Sequence, residues 1–511
     1  MVYVMQLDVL LSAAGLLGAL PDTVNIDDSS KSIEITEICN DSRTAGEGAL
    51  FVCIKGARTD GHIFAPAVYS HGCRAFVVSE DVSLPADAAV IRVSDTRAAL
   101  ADLAAAFCGF PSRDLFVIGI TGTKGKTTTA LMTAHILERA GISAGYIGTS
   151  GISFAGRSYP TVNTTPESLE LQRRLREMAD AGVRAVVMEV SSQGLYMDRV
   201  RGICFDTVCF TNFSPDHIGG AEHPTIEHYA ACKRRLFTDF GASAAVYNAD
   251  DDMSEYMVGD FGGKRAITCS AHSPAADVRL LHAGIERRGS HLGVAGRIAV
   301  DGSEYDLTLP LPGEFNVMNA MCAIAAAGTL GVTAEVAVRE LRDVKTPGRL
   351  EVVDILPELG ATFVVDYAHN GLALTSVLGT LRQYAPHRLI CLFGSVGGRT
   401  KTRRRELGEV ASLYADFCIL TADNPDFEDP RSVIADIAAA FRPGAGCGYV
   451  AIPDRTEAVR HAVSIAEAGD IILLAGKGAE DFQLVNGRRE PYSDTAALIE
   501  CAAEHRVKVE I

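Results

Sequence analysis

The stretch Gly119-Ile120-Thr121-Gly122-Thr123-Lys124-Gly125-Lys126-Thr127-Thr128 combines residue types and spacings suited to holding phosphate. From Gly119 to Thr127 it fits G-x-x-x-x-G-K-[ST]. Gly122 and Gly125 permit turns that point successive N–H groups inward at an anion. A helix starting here would add the positive end of its dipole. Lys126 is spaced to bridge β- and γ-phosphates, and the Thr127 hydroxyl to ligate Mg²⁺. The run Leu115 to Ile120 reads as a fully buried strand before the loop, and the residues after it read as a helix. The expectation is ATP binding, with Gly122, Thr123, Lys124, Gly125, Lys126, Thr127 and Thr128 around the phosphates.

Three residues downstream could complete a metal and phosphoryl-transfer site. Glu189 lies at the end of the strand-like run Ala185 to Val190, at the carboxyl edge where α/β sheets place ligands. His217 lies just past the run Thr207 to Thr211, and Lys233 sits in a helical stretch with Arg234 and Arg235. Taken singly, each has an ordinary reading: a capping or salt-bridged glutamate, a hydrogen-bonded histidine, a solvated lysine. Their order behind a phosphate loop is what points to chemistry. His223 and His228 also bear metal-ligating rings, but their spacing matches no helical ligand pair, so they read as structural. The 13 cysteines include no CxxC. Zinc-type paired spacing is not found among them, and they read as small buried apolar groups of a reducing cytosol.

The elements that must position these residues alternate short apolar runs with helical patterns across 511 residues, which is α/β organisation. Three domains are expected: 1–112, 113–344 and 345–511. Pro111 ends an Ala-rich helix near 96–107, and Lys345-Thr346-Pro347-Gly348-Arg349 forms a turn-rich joint. In the last domain four strands are expected at Thr362–Asp366, Arg388–Phe393, Phe417–Thr421 and Asp470–Ala475, in a doubly wound, Rossmann-like sheet. The apolar stretch from Val9 to Leu20 is too short to span a bilayer and lacks the basic start of a signal peptide. Leu10, Leu11, Leu16, Leu17 and Leu20 instead fit an amphipathic first helix in a cytoplasmic protein. With 47 Lys and Arg against 64 Asp and Glu, the net charge of −17 argues against a general nucleic-acid binder.

Several further segments, in order, resemble the Mur ligase family, which includes folylpolyglutamate synthases. They are the T-G-T-x-G-K-T-T form of the loop, Glu189-Val190-Ser191-Ser192, Thr211-Asn212 followed by Asp216-His217, and His228 to Lys233. Leu311 to Ala320 and Asp366-Tyr367-Ala368-His369 complete the set. The resemblance implies an ATP-dependent, ADP-forming ligase that phosphorylates a carboxylate and lets an amine attack the acyl phosphate. It implies two Mg²⁺ sites around Thr127, Glu189, His217 and Lys233, with Lys233 carbamylated (N6-carboxylysine). It places Lys126, Glu189, His217 and Lys233 in catalysis and Asn319, Arg349, Asp366 and His369 around the nucleotide. The implied fold is a central P-loop ATPase-type parallel sheet, flanked by an N-terminal α/β uridine-binding domain and a C-terminal Rossmann-like domain. The implied protein is a monomer without nucleic-acid or membrane partners.

Within the family, the chain resembles the subgroup that adds the third residue of the peptidoglycan stem peptide. Asp41-Ser42-Arg43 with Asp60-Gly61-His62 resembles its uridine-binding domain, Asn163-Thr164-Thr165-Pro166 its substrate loop, and Asp423-Asn424-Pro425 with Gly476-Lys477-Gly478-Ala479-Glu480 its amino-acid pocket. The implied acceptor is UDP-N-acetylmuramoyl-L-alanyl-D-glutamate, held by Ser42, Asn163, Thr164, Thr165, Ser191 and Arg199. Met197 departs from the glutamine that relatives often carry there. The implied amino-acid contacts are Arg399, Asp423, Asn424, Asp426 and Glu480. Relatives that take meso-diaminopimelate carry arginine where this chain has Asp426, and a histidine where it has Ala479. A carboxylate at 426 would attract a distal ammonium, so L-lysine or a similar diamino acid is expected, with meso-diaminopimelate or a folylpolyglutamate synthase-like reaction as alternatives. A regulatory nucleotide binder would not need Lys126, Glu189, His217 and Lys233 together, and no guanine-reading N-K-x-D is present.

Overall fold

The computed structural model describes residues 4–16, 31–56, 59–215, 218–219, 222–398, 400–442, 444 and 446–509. The chain separates into two compact units, Met1–Ala130 with Gly141–Ile267, and Leu131–Ala140 with Thr268–Ile511.

Apart from the short pair Met5–Gln6 with Glu34–Ile35, the described residues of the first unit hold two sheets. In one, Glu37–Cys39, Ala49–Val52, Ala75–Val78 and Ala89–Arg92 lie parallel in chain order. The two middle strands are buried along their whole length, as their unbroken apolar runs require. Helices Leu7–Ala13 and Thr96–Phe107 cover one face with Leu7, Leu10, Leu11, Leu100 and Leu103. The Asp95 carboxylate accepts the N–H groups of Arg97 and Ala98 and starts the second helix. The first helix is shorter than its leucine spacing predicts. Leu17 and Leu20 lie outside the described residues.

In the other sheet five parallel strands run in the spatial order Ala144–Gly148, Ala185–Glu189, Phe116–Thr121, Thr207–Phe210 and Ala244–Asn248. Phe116–Thr121 comes first in the chain but lies in the middle, so the winding reverses beside it. A crevice opens at the carboxyl ends of strands at such a switch point. Gly122, Glu189 and Thr149 follow or end the three strands that meet there. Val186, Met188, Leu171, Leu175 and Met178 interlock between this sheet and helix Ser168–Asp180, each contributing about 1.5–3 kcal/mol by burial.

The second unit begins with an antiparallel meander, Val278–Arg288, His291–Val300 and Ser303–Leu309. Its main sheet has the order Glu351–Val353, Thr362–Asp366, Ile471–Ala475, Leu389–Phe393, Phe417–Leu420 and Gly448–Ala451. Only the first pair is antiparallel. The four expected strands are the central ones. A hairpin, Phe482–Val485 with Arg488–Pro491, turns through Asn486 and Gly487, both at positive φ.

Behind the main sheet, Arg455 and Asp494 form a fully buried ion pair with two bonds of 2.7 Å. Arg455 also donates to the carbonyls of Ala422 at 3.0 Å and Ala475 at 3.1 Å. It thereby fixes the exits of two strands. The buried Arg404 guanidinium grips Glu428 and Asp436. That hydrogen bond first, and the Gly398 N–H second, pull the Glu428 carboxyl down to about 2 from its ordinary 4.5. A depressed carboxylate adds stability above its ordinary value and loses it as the pH falls towards the depressed one. Glu428→Gln is therefore expected to flatten the acid limb of the Tm–pH curve between 4.5 and about 2. Thermal unfolding of both proteins across that range checks this, and parallel limbs would contradict it.

All thirteen cysteines are free. Cys204 is exposed, Cys447 half-buried and the rest buried. Among the described residues no helix is long and apolar enough to cross a membrane.

Candidate active site

Phe116–Thr121 leads through Gly122 at φ 151° and Gly125 at φ 80° into helix Lys126–Arg139. A Cβ on Gly122 would collide with Thr211 Oγ1 and lie 3.1 Å from the Asn212 backbone, so both dihedral and space demand glycine. Thr211 and Asn212 brace the loop from outside. The Thr211 hydroxyl donates to the Lys124 carbonyl at 2.7 Å, Asn212 Oδ1 accepts the Lys124 N–H at 2.9 Å, and the Thr123 N–H donates to the Asn212 carbonyl at 2.8 Å.

Lys126 Nζ folds over the loop and donates to the carbonyls of Gly122 at 2.8 Å and Thr123 at 3.1 Å. Lys233 is 1% exposed on helix Ile226–Thr238. Its Nζ donates to the same Gly122 carbonyl at 2.8 Å and sits 4.5 Å from the Tyr229 ring centroid. The two amines predicted for catalysis thus converge on one carbonyl.

Glu189 is buried at the end of its strand, opposite Ile120 in register. Its Oε2 accepts from the hydroxyls of Thr127 at 2.9 Å and Thr149 at 3.2 Å. Its Oε1 accepts from the Tyr146 hydroxyl at 2.7 Å and the Thr149 N–H at 2.8 Å. Gly148 makes room, because a Cβ there would collide with both Glu189 and Tyr146. Burial first, and the Glu189 carboxylate second, push the Tyr146 phenol well above its ordinary value, so it stays a donor. The Thr127 hydroxyl and the Glu189 carboxylate are hard oxygen donors in contact, a set that fits Mg²⁺. His217 lies outside the described residues.

Beside the loop is a cavity of about 250 Å³. Lys126 and Lys233 line it together with Asn163, Thr164, Ser191 and Arg199. Thr165 does not reach its wall. Its buried hydroxyl bonds the Glu189 carbonyl at 3.0 Å and the Ser191 hydroxyl at 3.1 Å, pinning the chain where it leaves the strand. Arg199 is anchored by the Thr165 carbonyl at 3.1 Å and by Glu167 at 2.7 Å. Ser42 is not among the lining residues. It sits in a turn where Arg43 clasps Asp41, and that hydrogen bond holds the Asp41 carboxyl at about 2. Nearby, buried His62 bonds Asp60 at 2.6 Å and accepts the Ser79 N–H at 3.0 Å.

In the second unit, Asn316 and Asn319 are buried on helix Phe315–Gly328 and joined at 2.9 Å. Arg349 lies 5.0 Å over the Tyr367 ring. Asp366 accepts the N–H groups of Leu350 and Ala368, each at 2.8 Å, so it already shapes the joint, and burial raises its carboxyl. His369 bonds the Tyr367 carbonyl at 2.9 Å, and burial lowers its ring.

The amino-acid segment turns out to be centred on Lys477, which sequence reasoning gave no role. Its buried Nζ donates to Asn424 Oδ1 at 3.0 Å and Glu480 Oε2 at 2.9 Å, and lies 3.7 Å from Asp423 Oδ1. That Asp423 oxygen has no hydrogen-bond partner although it is buried, and burial raises the carboxyl. Glu480 is therefore held by Lys477 and Asn424 at 3.0 Å. Asp426 is in the left-handed region at φ 52°, and its Oδ1 accepts the Gly487 N–H at 2.7 Å. Aspartate tolerates that conformation and caps the hairpin turn, which accounts for the residue without invoking selectivity. Arg399 lies outside the described residues.

Besides Lys477, sequence reasoning missed Tyr146, Thr149 and Arg455. Lys477 stood inside a quoted motif, but nothing in the sequence marks Tyr146, Thr149 or Arg455.

Three parts of the chain match described domains: residues 34–108 the Mur ligase family catalytic domain, 120–327 the Mur ligase middle domain, and 348–478 the Mur ligase glutamate ligase domain. The UDP-N-acetylmuramoyl-L-alanyl-D-glutamate–2,6-diaminopimelate ligase of Caldanaerobacter subterraneus subsp. tengcongensis is 38% identical over 93% of this chain and 96% of its own. That of Chlorobaculum tepidum is 38% identical over 98% and 97%. A solved structure of a ligase of that name matches with a TM-score of 0.66 at 28% identity, over 94% of this chain and 98% of its own. Mycobacterium tuberculosis folylpolyglutamate synthase complexed with ADP matches at 0.58 and 18% identity, over 79% and 92%, and shares the fold. With its three-domain α/β architecture, the chain belongs to the Mur ligase family of ATP-dependent, ADP-forming ligases.

Proposed function

We propose that this ligase joins the amine of a diamino acid to the D-glutamyl carboxylate of UDP-N-acetylmuramoyl-L-alanyl-D-glutamate. The observation that carries the reading is the cavity where Lys126 and Lys233 face Asn163, Thr164, Ser191 and Arg199. Candidate carboxylate-holding groups beside the phosphate loop support the reading. The acceptor carboxylate attacks the terminal phosphoryl group of ATP, ADP leaves, and the amine then displaces phosphate from the acyl phosphate. The amine's proton passes to solvent. Lys126 and the loop N–H groups offset charge on the phosphoryl oxygens. Mg²⁺ would be held by Thr127 and Glu189, with His217 and carbamylated Lys233 at a second site, and would offset the same charge. Cytoplasmic, monomeric action and the division at 112 and 344 belong to the same reading.

For the amino acid, meso-diaminopimelate is the first reading. It rests on the names of the relatives above and on Asp426 being occupied by the hairpin cap. L-Lysine is the second. It is favoured by a carboxylate at 426 where an arginine would suit a distal carboxylate, and by Ala479.

Phosphate release by purified protein with ATP, Mg²⁺ and the acceptor tests both readings, with each amino acid supplied singly and product mass as readout. Turnover with diaminopimelate is expected. Turnover with lysine or ornithine alone would give Asp426 the selecting role, and silence with all three would overturn the acceptor.

A further inference from the structure

The Thr225 hydroxyl accepts the His228 N–H and sets the start of helix Ile226–Thr238. His228 and Cys232 then stand four residues apart on one helical face. His223, in the approach to the helix, turns its ring back towards them. Its Nδ1 lies 2.9 Å from His228 Nδ1, and its Nε2 lies 2.9 Å from Ser192 Oγ. Cys232 Sγ is 3.8 Å from His228 Nδ1. One ligand atom from each of the three residues lies within 4.8 Å of the others. His223 and Cys232 are buried, and His228 is half-buried. His223 and His228, five residues apart, are not a helical ligand pair. The helical pair is a histidine with a cysteine.

Two of the three separations suit a tetrahedral ion, and the third, from His223 to Cys232, lies within 4.8 Å. Zinc bonds of about 2.0–2.1 Å to nitrogen and about 2.3 Å to sulfur separate adjacent ligands by about 3.3 Å and about 3.6 Å respectively. The His228–Cys232 separation is already near that value, and the two Nδ1 atoms need only part by a few tenths of an ångström. Two imidazoles and a thiolate select a borderline-soft ion over Mg²⁺. The Ser192 hydroxyl holds the other ring nitrogen of His223, the kind of outer contact that orients a metal-bound histidine. His223 also lines the cavity beside the phosphate loop.

We propose that His223, His228 and Cys232 form a binding site for a zinc-class divalent ion, chemically separate from the hard-oxygen pair Thr127 and Glu189. On binding, the thiol proton of Cys232 passes to solvent, and the histidine whose Nδ1 carries the proton between the two rings shifts to its Nε2–H tautomer, freeing both Nδ1 atoms for the ion. The ion would tie the residue 223 segment to the helix whose next residue, after Cys232, is Lys233.

Metal-free full-length protein titrated with Co²⁺ in the presence of Mg²⁺ tests this. A thiolate-to-cobalt charge-transfer absorption is expected to saturate at one equivalent and to vanish when one equivalent of Zn²⁺ is added. Oxygen ligands alone give no such band, so the Mg²⁺-type site does not contribute. Cys232→Ser must abolish the band, His228→Gln must weaken Co²⁺ binding at least about tenfold, and Cys204→Ser must leave it intact. Alkylation followed by peptide mass gives a second readout on the unaltered protein. Buried Cys232 reacts only as the chain opens locally, so over a prolonged reaction one equivalent of Zn²⁺ must slow its modification further and leave Cys204 unaffected. A missing band, a band that survives Cys232→Ser, or unprotected Cys232 would make the trio a packed hydrogen-bonded cluster with Tyr196, whose ring lies 4.9 Å from His228, and would sink the proposal.

Discussion

Glu189→Gln is expected to lower the rate of phosphate release by about 10²–10³-fold while leaving the protein folded. The substitution preserves shape and removes two things. The carboxylate charge no longer offsets charge at the phosphate loop. The amide nitrogen also cannot accept, whereas each Glu189 oxygen now accepts two donors, from Thr127 and Thr149 on one side and from Tyr146 and Thr149 on the other. Tyr146→Phe is the comparator: it keeps the charge, removes one hydrogen bond and should cost far less. The assay is initial rate at saturating substrates, with Tm measured alongside. A loss in Glu189→Gln no greater than in Tyr146→Phe would reduce Glu189 to a strand-end scaffold.

The largest effect on stability is expected from Asp494→Asn, at about 3–5 kcal/mol. Arg455 is fully buried, its charge is compensated by Asp494 alone at bonding distance, and burial is the force that the pair must overcome. Removing the carboxylate charge leaves a guanidinium in a desolvated setting, with only the Ala422 and Ala475 carbonyls. The loss corresponds to a fall in Tm on the order of 10 °C. Thermal unfolding checks it, and Arg455→Met combined with Asp494→Leu should recover part of the loss because no charge is then stranded. A shift of about 1 °C in the single variant would mean that water reaches the pair.

The parts legible in the sequence are those where local pattern and burial agree. Leu115–Ile120, Ala185–Val190 and Ala244–Asn248 are largely apolar runs, interrupted or ended only by Glu189 and Asn248, and each is a largely buried strand within a residue of its expected span. Glycine spacing located the phosphate loop for the same reason, since the collision that forbids a Cβ on Gly122 is local. What stayed illegible is half-exposed or nonlocal. Edge strands Glu351–Val353 and Gly448–Ala451 carry no buried run. The meander 278–309 mixes polar and apolar positions. The Lys477 contacts with Asn424 span 53 residues of chain and the Arg455–Asp494 pair 39, distances over which no periodicity operates. Asp426 shows the opposite hazard. A residue type read as selectivity also satisfies a left-handed turn, and only the backbone reveals it.

The burial of nearly all the thiols makes the protein its own unfolding gauge. In the native chain a thiol reagent meets Cys204 first and half-buried Cys447 next. Cys53 and Cys108 resist, because burial pushes them up to about 12 and about 11, and thiolate is the reactive form. Cys39, Cys53, Cys73 and Cys108 lie in the first 110 residues, whereas Cys391, Cys418 and Cys501 lie beyond 390. The order in which labelled peptides emerge during slow denaturation therefore reports which end of the chain opens first, without an introduced probe.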